Sequence, residues 1–288
     1  MSKLQAGIII ELEVIREAPF GYFLTDGEQD VLLHETEMER GLAEGETVEV
    51  FIYQDKKGRL AATMTLPEVV IGSYDWATVV EVKNHLGVFV DIGIKKDMLV
   101  SMDDLPDEFE NWPQIGDEMY CTLKVDKKAG LLGRPATEDQ IEEIWQPASE
   151  SWFNQEVSGT VYRLVMTGSF VITREGLKGF IHESEQKGKS RLGQKVSGRV
   201  IGVKEDGTIN VSLLPRNHER MGDDAQKIYT YLQGRKGPMP YGDHTHPDDI
   251  QAKFNMSKGA FKRALGRLMK EKKVYQKDGW THLNSERE

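Results

Sequence analysis

Gly168-Ser169-Phe170-Val171, followed after a short turn by Gly179-Phe180-Ile181-His182, is the stretch from which the rest of the chain can be read. The same phrase occurs earlier as Gly21-Tyr22-Phe23-Leu24 with Val31-Leu32-Leu33-His34, and as Gly87-Val88-Phe89-Val90 with Asp97-Met98-Leu99-Val100. Each copy pairs two short apolar runs about ten residues apart, the spacing of adjacent strands. A phrase that returns after roughly 65 to 80 residues marks a series of small homologous β modules rather than one large domain.

Working outward, residues 8–15 alternate apolar and polar side chains, and 45–53 do so again before a Lys57-Gly58 turn into 59–63. Five short strands with a long connection between the third and fourth predict an oligonucleotide/oligosaccharide-binding barrel over residues 1–66. The plan repeats over 67–134, with an acidic third connection at 102–114 and a last turn at Lys128-Ala129-Gly130. This copy places Met98 where the third copy has Phe180, and Val100 where it has His182. Residues 135–154 form a linker. There Thr137 and Gln140 have capping-box spacing, and Ile141, Ile144 and Trp145 share a helical face. A third barrel is expected over 155–214, closed by an Asp206-Gly207 hairpin.

Beyond residue 214 the hydrophobic period changes. Ile228, Tyr231 and Leu232 suit one helix, and Ile250 and Phe254 a second; Ser257 caps a third that carries Phe261, Ala264, Leu265 and Leu268 on one face. A hairpin turning at Asp278-Gly279 follows. Three helices and a hairpin describe a winged helix over 215–288. The expected fold class is therefore mainly β, with three tandem five-stranded barrels and a C-terminal α+β domain.

Composition narrows the function. No run of 18 apolar residues occurs, so neither a membrane span nor a membrane partner is expected. The N-terminal residues lack the apolar core of a secretory signal. The single Cys121 sits in an alternating strand, which fits a reducing, cytoplasmic compartment and an inert buried thiol. Charge is divided along the chain: residues 1–152 hold 13 Lys and Arg against 31 Asp and Glu, whereas 153–288 hold 24 against 16. A polyanion should therefore meet the C-terminal half first.

The Gly-x-Phe-Val phrase, the Gly-Phe-Ile-His strand and the closing hairpin resemble the S1 RNA-binding module. Three such modules followed by a winged helix resemble the conserved virulence factor B family of bacterial RNA-binding regulators. That resemblance implies post-transcriptional control of gene expression, including virulence genes. It also implies a surface role for Phe170, Phe180 and His182, on which unpaired bases would stack. Lys178, Lys187, Lys189, Arg191 and Arg199 are the cations placed to hold the passing phosphates. Phe23 and His34 occupy the matching positions of the first module, in acidic surroundings. In the winged helix, Lys258, Lys262, Arg263 and Arg267 extend the basic track, with Lys270, Lys272 and Lys273 close by.

Other readings stand beside this one. The winged helix can enter a duplex DNA groove, and the acidic first half can dock a basic protein partner. Strand alternation alone leaves open whether Phe170 is core, and whether the first two modules are spacers. His244-Thr245-His246 is an isolated cluster with no companion ligands, so no metal and no cofactor are expected. Gly188-Lys189-Ser190 has Glu183 where a Gly-x-x-x-x-Gly-Lys-Ser/Thr phosphate loop needs its first glycine, and the carboxylates are scattered without the paired arrangement of a two-metal nuclease, so the expected protein is not an enzyme.

Overall fold

Alternating side chains close the N-terminal segment into a barrel of five strands: β1 (Ile9–Ala18), β2 (Gly21–Thr25), β3 (Asp30–His34), β4 (Thr47–Gln54) and β5 (Leu60–Thr63). The order is β1-β2-β3-β5-β4, and a parallel pairing of β3 with β5 completes the ring. Leu12, Val14, Leu24, Leu33, Val50 and Ile52 point inward and form its core. The computed structural model describes residues 4–126, 130–215, 217–235 and 237–284, so the turn expected at Lys128 and Ala129 lies outside the described residues.

The plan recurs twice. A second barrel comprises β6 (Asp75–Lys83), β7 (Gly87–Asp91), β8 (Met98–Ser101), β9 (Glu118–Asp126) and β10 (Gly130–Pro135). A third comprises β11 (Glu156–Val165), β12 (Gly168–Thr173), β13 (Lys178–His182), β14 (Lys195–Val203) and β15 (Ile209–Ser212). One backbone constraint explains why the repeated phrase opens on glycine. Gly21, Gly87 and Gly168 have φ of +142°, +137° and +156°. A Cβ there would lie 2.1, 2.0 and 2.1 Å from the carbonyl oxygens of Leu33, Val100 and Ile181. The second strand starts so close to the third that only glycine fits.

The register of the second barrel differs by one residue from the sequence expectation. Phe89 pairs with Leu99 and Gly87 with Ser101, as Phe170 pairs with Phe180 and Gly168 with His182. Leu99 and Ser101, not Met98 and Val100, are thus the counterparts. Met98 and Val100 are 1% and 0% exposed, inside the barrel. A slip of one residue exchanges the two faces of a strand, and apolar residues at three successive positions, Met98 to Val100, hid it.

The barrels are tied laterally. Val50 and Ile52 face the first barrel's own core, whereas Phe51 between them points the other way and joins the second barrel's cluster with Val79, Val90 and Leu123. The Gln54 side chain accepts from the backbone N–H of Leu131 at 3.1 Å, and Lys96 Nζ donates to the Gln54 carbonyl at 2.6 Å. Burial lowers the Lys96 pKa from the ordinary lysine value. Cys121 is fully buried in β9, and burial pushes its thiol up to about 12. Between the second and third barrels runs the short helix α1 (Glu138–Ile144), where the Thr137 N–H donates to Gln140 Oε1 at 3.0 Å and Ile141 is buried.

The chain divides into two units, Met1–Leu213 and Leu214–Glu288. The second contains α2 (Asn217–Gln233), α3 (Pro247–Phe254), α4 (Lys258–Lys270) and the hairpin β16 (Val274–Lys277) with β17 (Trp280–Leu283). Ile228, Leu232, Ile250, Phe254, Phe261 and Leu265 form its core. Ser257 Oγ accepts from the Ala260 N–H at 3.2 Å to cap α4. This is the winged-helix arrangement. Among the described residues no helix is long and apolar enough to cross a membrane.

Phe51→Ala removes a fully buried ring from the seam between two barrels. It should lower stability by about 3 to 5 kcal/mol. Urea unfolding followed by circular dichroism measures the loss; a change below about 1 kcal/mol would show that the seam is not a cooperative part of the fold.

Candidate nucleic-acid interface

On the third barrel the residues that alternate away from the core form an aromatic row. Phe170 on β12 and Phe180 on β13 are direct cross-strand partners, with ring centroids 5.0 Å apart and planes inclined at 51°. His182 continues the row 6.3 Å beyond Phe180, and Tyr162 flanks Phe170 at 6.3 Å. Phe170 and Phe180 are half-buried and His182 is exposed, while Val171 and Ile181 fill the core. Phe170 is therefore a surface residue.

A bulge in β11 between Val161 and Arg163 rotates the strand end, setting Arg163 opposite Phe170. The guanidinium lies 4.1 Å from the ring centroid. Glu138, in the first turn of α1, anchors this edge: Arg163 Nη1 is 3.2 Å from Glu138 Oε2, and the Tyr162 hydroxyl donates to Oε1 at 3.1 Å. Burial, and then the neighbouring Glu138 charge, raises the Tyr162 pKa above the ordinary phenol value.

The histidine has a structural duty as well. His182 Nδ1 accepts from the Ser184 N–H at 3.2 Å and lies 2.8 Å from Ser184 Oγ, capping the 3-10 turn Glu183–Glu185. The neutral ring then carries its hydrogen on Nε2. His34 caps its own turn through the Thr36 N–H at 3.2 Å, and Ser101 does so through the Asp103 N–H at 3.3 Å. The cap survives in every barrel; the ring does not.

The cations expected to hold phosphate separate into two groups. Lys187 and Lys189 are exposed, with no ion pair among the described residues, and Arg199 is half-buried with Nη1 3.4 Å from Asn154 Oδ1. Lys178 and Arg191 are already ion-paired within the fold. Lys178 Nζ lies 2.5 Å from Glu138 Oε1 and also contacts Glu142, whose carboxyl it holds below the ordinary carboxylate range. Arg191 makes a two-pronged ion pair with Asp117 of the second barrel, at 2.7 and 2.8 Å. Among the described residues, carboxylates engage both side chains, unlike those of Lys187 and Lys189.

The other barrels carry reduced versions of the face. In the first, a matching bulge sets Arg16 3.9 Å over the Phe23 ring, Leu32 pairs with Phe23, and Phe20 stacks on His34 at 6.4 Å and 17°. In the second, Glu81 stands opposite Phe89, with Lys83 3.0 Å from Glu81 and 4.8 Å over the ring. A carboxylate there opposes a polyanion.

Comparison with known proteins fits this series of domains. Residues 6–65 match the S1 domain model, 74–134 the CvfB first S1-like domain, 141–215 the second domain of virulence regulatory factor CvfB, and 226–283 the CvfB-like winged helix domain. Conserved virulence factor B of Staphylococcus epidermidis is 38% identical over 96% of this chain and 97% of its own length. The Staphylococcus aureus protein is 37% identical, covering 97% of each chain. The chain belongs to the conserved virulence factor B family. Bacillus subtilis YitL is 51% identical over 97% of this chain and 94% of its own. A Streptococcus pneumoniae crystal structure, described as a multidomain protein with nucleic acid binding domains, superposes with a TM-score of 0.67 at 41% identity, covering 96% of this chain and 97% of the other.

In this CvfB-type chain the winged helix adds a second basic surface. Lys262 and Arg263 are exposed on α4, without ion pairs among the described residues, and Lys258 is half-buried. Arg267 is engaged by Glu271 at 2.8 Å, and Lys273 reaches the same carboxylate at 2.8 Å. Hydrogen bonding from Arg267 and then Lys273 takes the Glu271 pKa down to about 2. Among the described residues no group of three or more metal-ligating side chains converges.

Sequence reading missed Arg163, Arg16, Tyr162 and Glu138. One signal was present: each arginine stands seven residues before its phenylalanine. The bulge that turns this spacing into contact is invisible in the pattern. The shared cap yields a test. His182→Ala should lose about 1 kcal/mol of stability while His182→Ser, which copies Ser101, should stay within about 0.5 kcal/mol of the parent. Equal losses in chemical denaturation would remove the capping role.

Proposed function

We propose that this protein binds single-stranded RNA, without catalysis, as a post-transcriptional regulator, and that the third barrel is its principal site. The observation that carries the reading is the outward row of Phe170, Phe180 and His182 with Arg163 over the Phe170 ring, on a barrel whose connection after β13 exposes Lys187 and Lys189. Half-exposed rings at this spacing offer faces to successive unpaired bases, and stacking accepts every base, so sequence preference should be modest. The first barrel, with Phe23, His34 and Arg16, is a secondary contact; the second is the poorest because of Glu81. Membership in a family of virulence regulatory factors, built of S1 and winged-helix domains, supports this direction.

A second reading places duplex DNA on α4, favoured by the exposed Lys262 and Arg263. The two readings separate cleanly. With a 12-nucleotide RNA, Phe180→Ala should weaken binding by about 1 to 3 kcal/mol, five-fold or more. Arg263→Ala should weaken it less, lowering the salt slope by about 0.7 as one phosphate contact is lost. Fluorescence anisotropy on the whole chain, with duplex DNA as competitor, provides the comparison. If the duplex competes better than the single strand and Phe180→Ala is silent, the DNA reading replaces this one. A protein that binds neither at low salt would leave the acidic barrels as docking surfaces for a protein partner.

A further inference from the structure

The Arg191–Asp117 ion pair belongs to a wider attachment. Asp117 is nearly enclosed, its side chain 7% exposed, and it also accepts from the Gln114 N–H at 2.7 Å. Next to it the main chains of the two barrels bond directly: Leu192 N–H donates to the Asn111 carbonyl at 3.0 Å, and Glu118 N–H to the Gly193 carbonyl at 3.0 Å. Gly193 has φ +76°, and a Cβ there would sit 2.9 Å from the Glu118 carbonyl oxygen. The same segment grips β11 just before its bulge, with Gly193 N–H donating to the Val161 carbonyl at 2.8 Å and Val161 N–H to the Gln194 carbonyl at 3.0 Å.

These contacts run in one line from the second barrel to both halves of the candidate site. Arg191 ends the connection that carries Lys187 and Lys189, and Val161 begins the bulge that aims Arg163 at Phe170. We propose that the second barrel, with a poor RNA face of its own, is the platform that positions the RNA face of the third, and that Asp117 is the positioning residue. This rests on the RNA reading above. An arginine that the sequence offers as a phosphate ligand is then a strut, and its carboxylate partner favours the binding of a polyanion.

That sign makes the idea testable. Asp117→Asn removes a negative charge, so simple electrostatics expects RNA to bind as well or better. A platform expects the reverse: about 3- to 30-fold weaker binding, with the salt slope reduced by about 1.4 as Lys187 and Lys189 lose their placement. Arg191→Lys keeps the charge but not the two-pronged geometry, and should weaken binding in the same way. Trypsin cleavage after Lys187 and Lys189 in the whole chain, below its unfolding temperature, should be faster in both variants. Unchanged or tighter RNA binding in both variants, or unaltered cleavage, overturns the proposal. If the parent binds no RNA while cleavage accelerates in the variants, the RNA reading fails and the mechanical anchoring stands.

Discussion

The close approach of the second and third strands in each barrel is the constraint from which the rest follows. Gly21, Gly87 and Gly168 start the second strand with positive φ, against carbonyl oxygens that leave no room for a Cβ. That approach sets the pairing of Phe23 with Leu32, Phe89 with Leu99 and Phe170 with Phe180. Once the register is set, alternation sends Val171 and Ile181 inward and the phenylalanines outward. The aromatic row is thus a consequence of barrel closure rather than an addition to it.

On this common frame the three barrels differ in chemistry. The bulge in the first strand is kept in all three, but it presents Arg16, Glu81 and Arg163 in turn. The capping position is kept too, filled by His34, Ser101 and His182. Where the cap is an imidazole it also extends the row, and where it is a hydroxyl it does not. The second barrel keeps the fold with a carboxylate opposite its phenylalanine, and its surface near Asp117 is bonded to the third. Such a barrel can be retained for its position alone, without contributing contacts of its own.

Much of the fold was legible in the sequence because its signals are local. The repeat, the Asp206-Gly207 and Asp278-Gly279 turns, the Thr137 capping box and the apolar face of α4 each depend on residues a few positions apart. The exposed row was legible in part: Phe170, Phe180 and His182 share a face, as the period of two requires. The second barrel was misread by one residue because Met98, Leu99 and Val100 are all apolar, leaving no polar position to mark the face.

The fate of the charges was beyond local reading. Lys178 and Arg191 look, in sequence, like Lys187 and Lys189; nothing in their neighbours shows that Glu138 and Asp117, distant in the chain, have already neutralised them. An ion pair forms through space at a few ångströms, and the chain places partners there only after the barrels have packed. The sequence by itself determined the number of modules, their strands and the side chains available to a ligand. Only the tertiary structure decided which of those side chains remain available, because availability depends on what folding brings within reach.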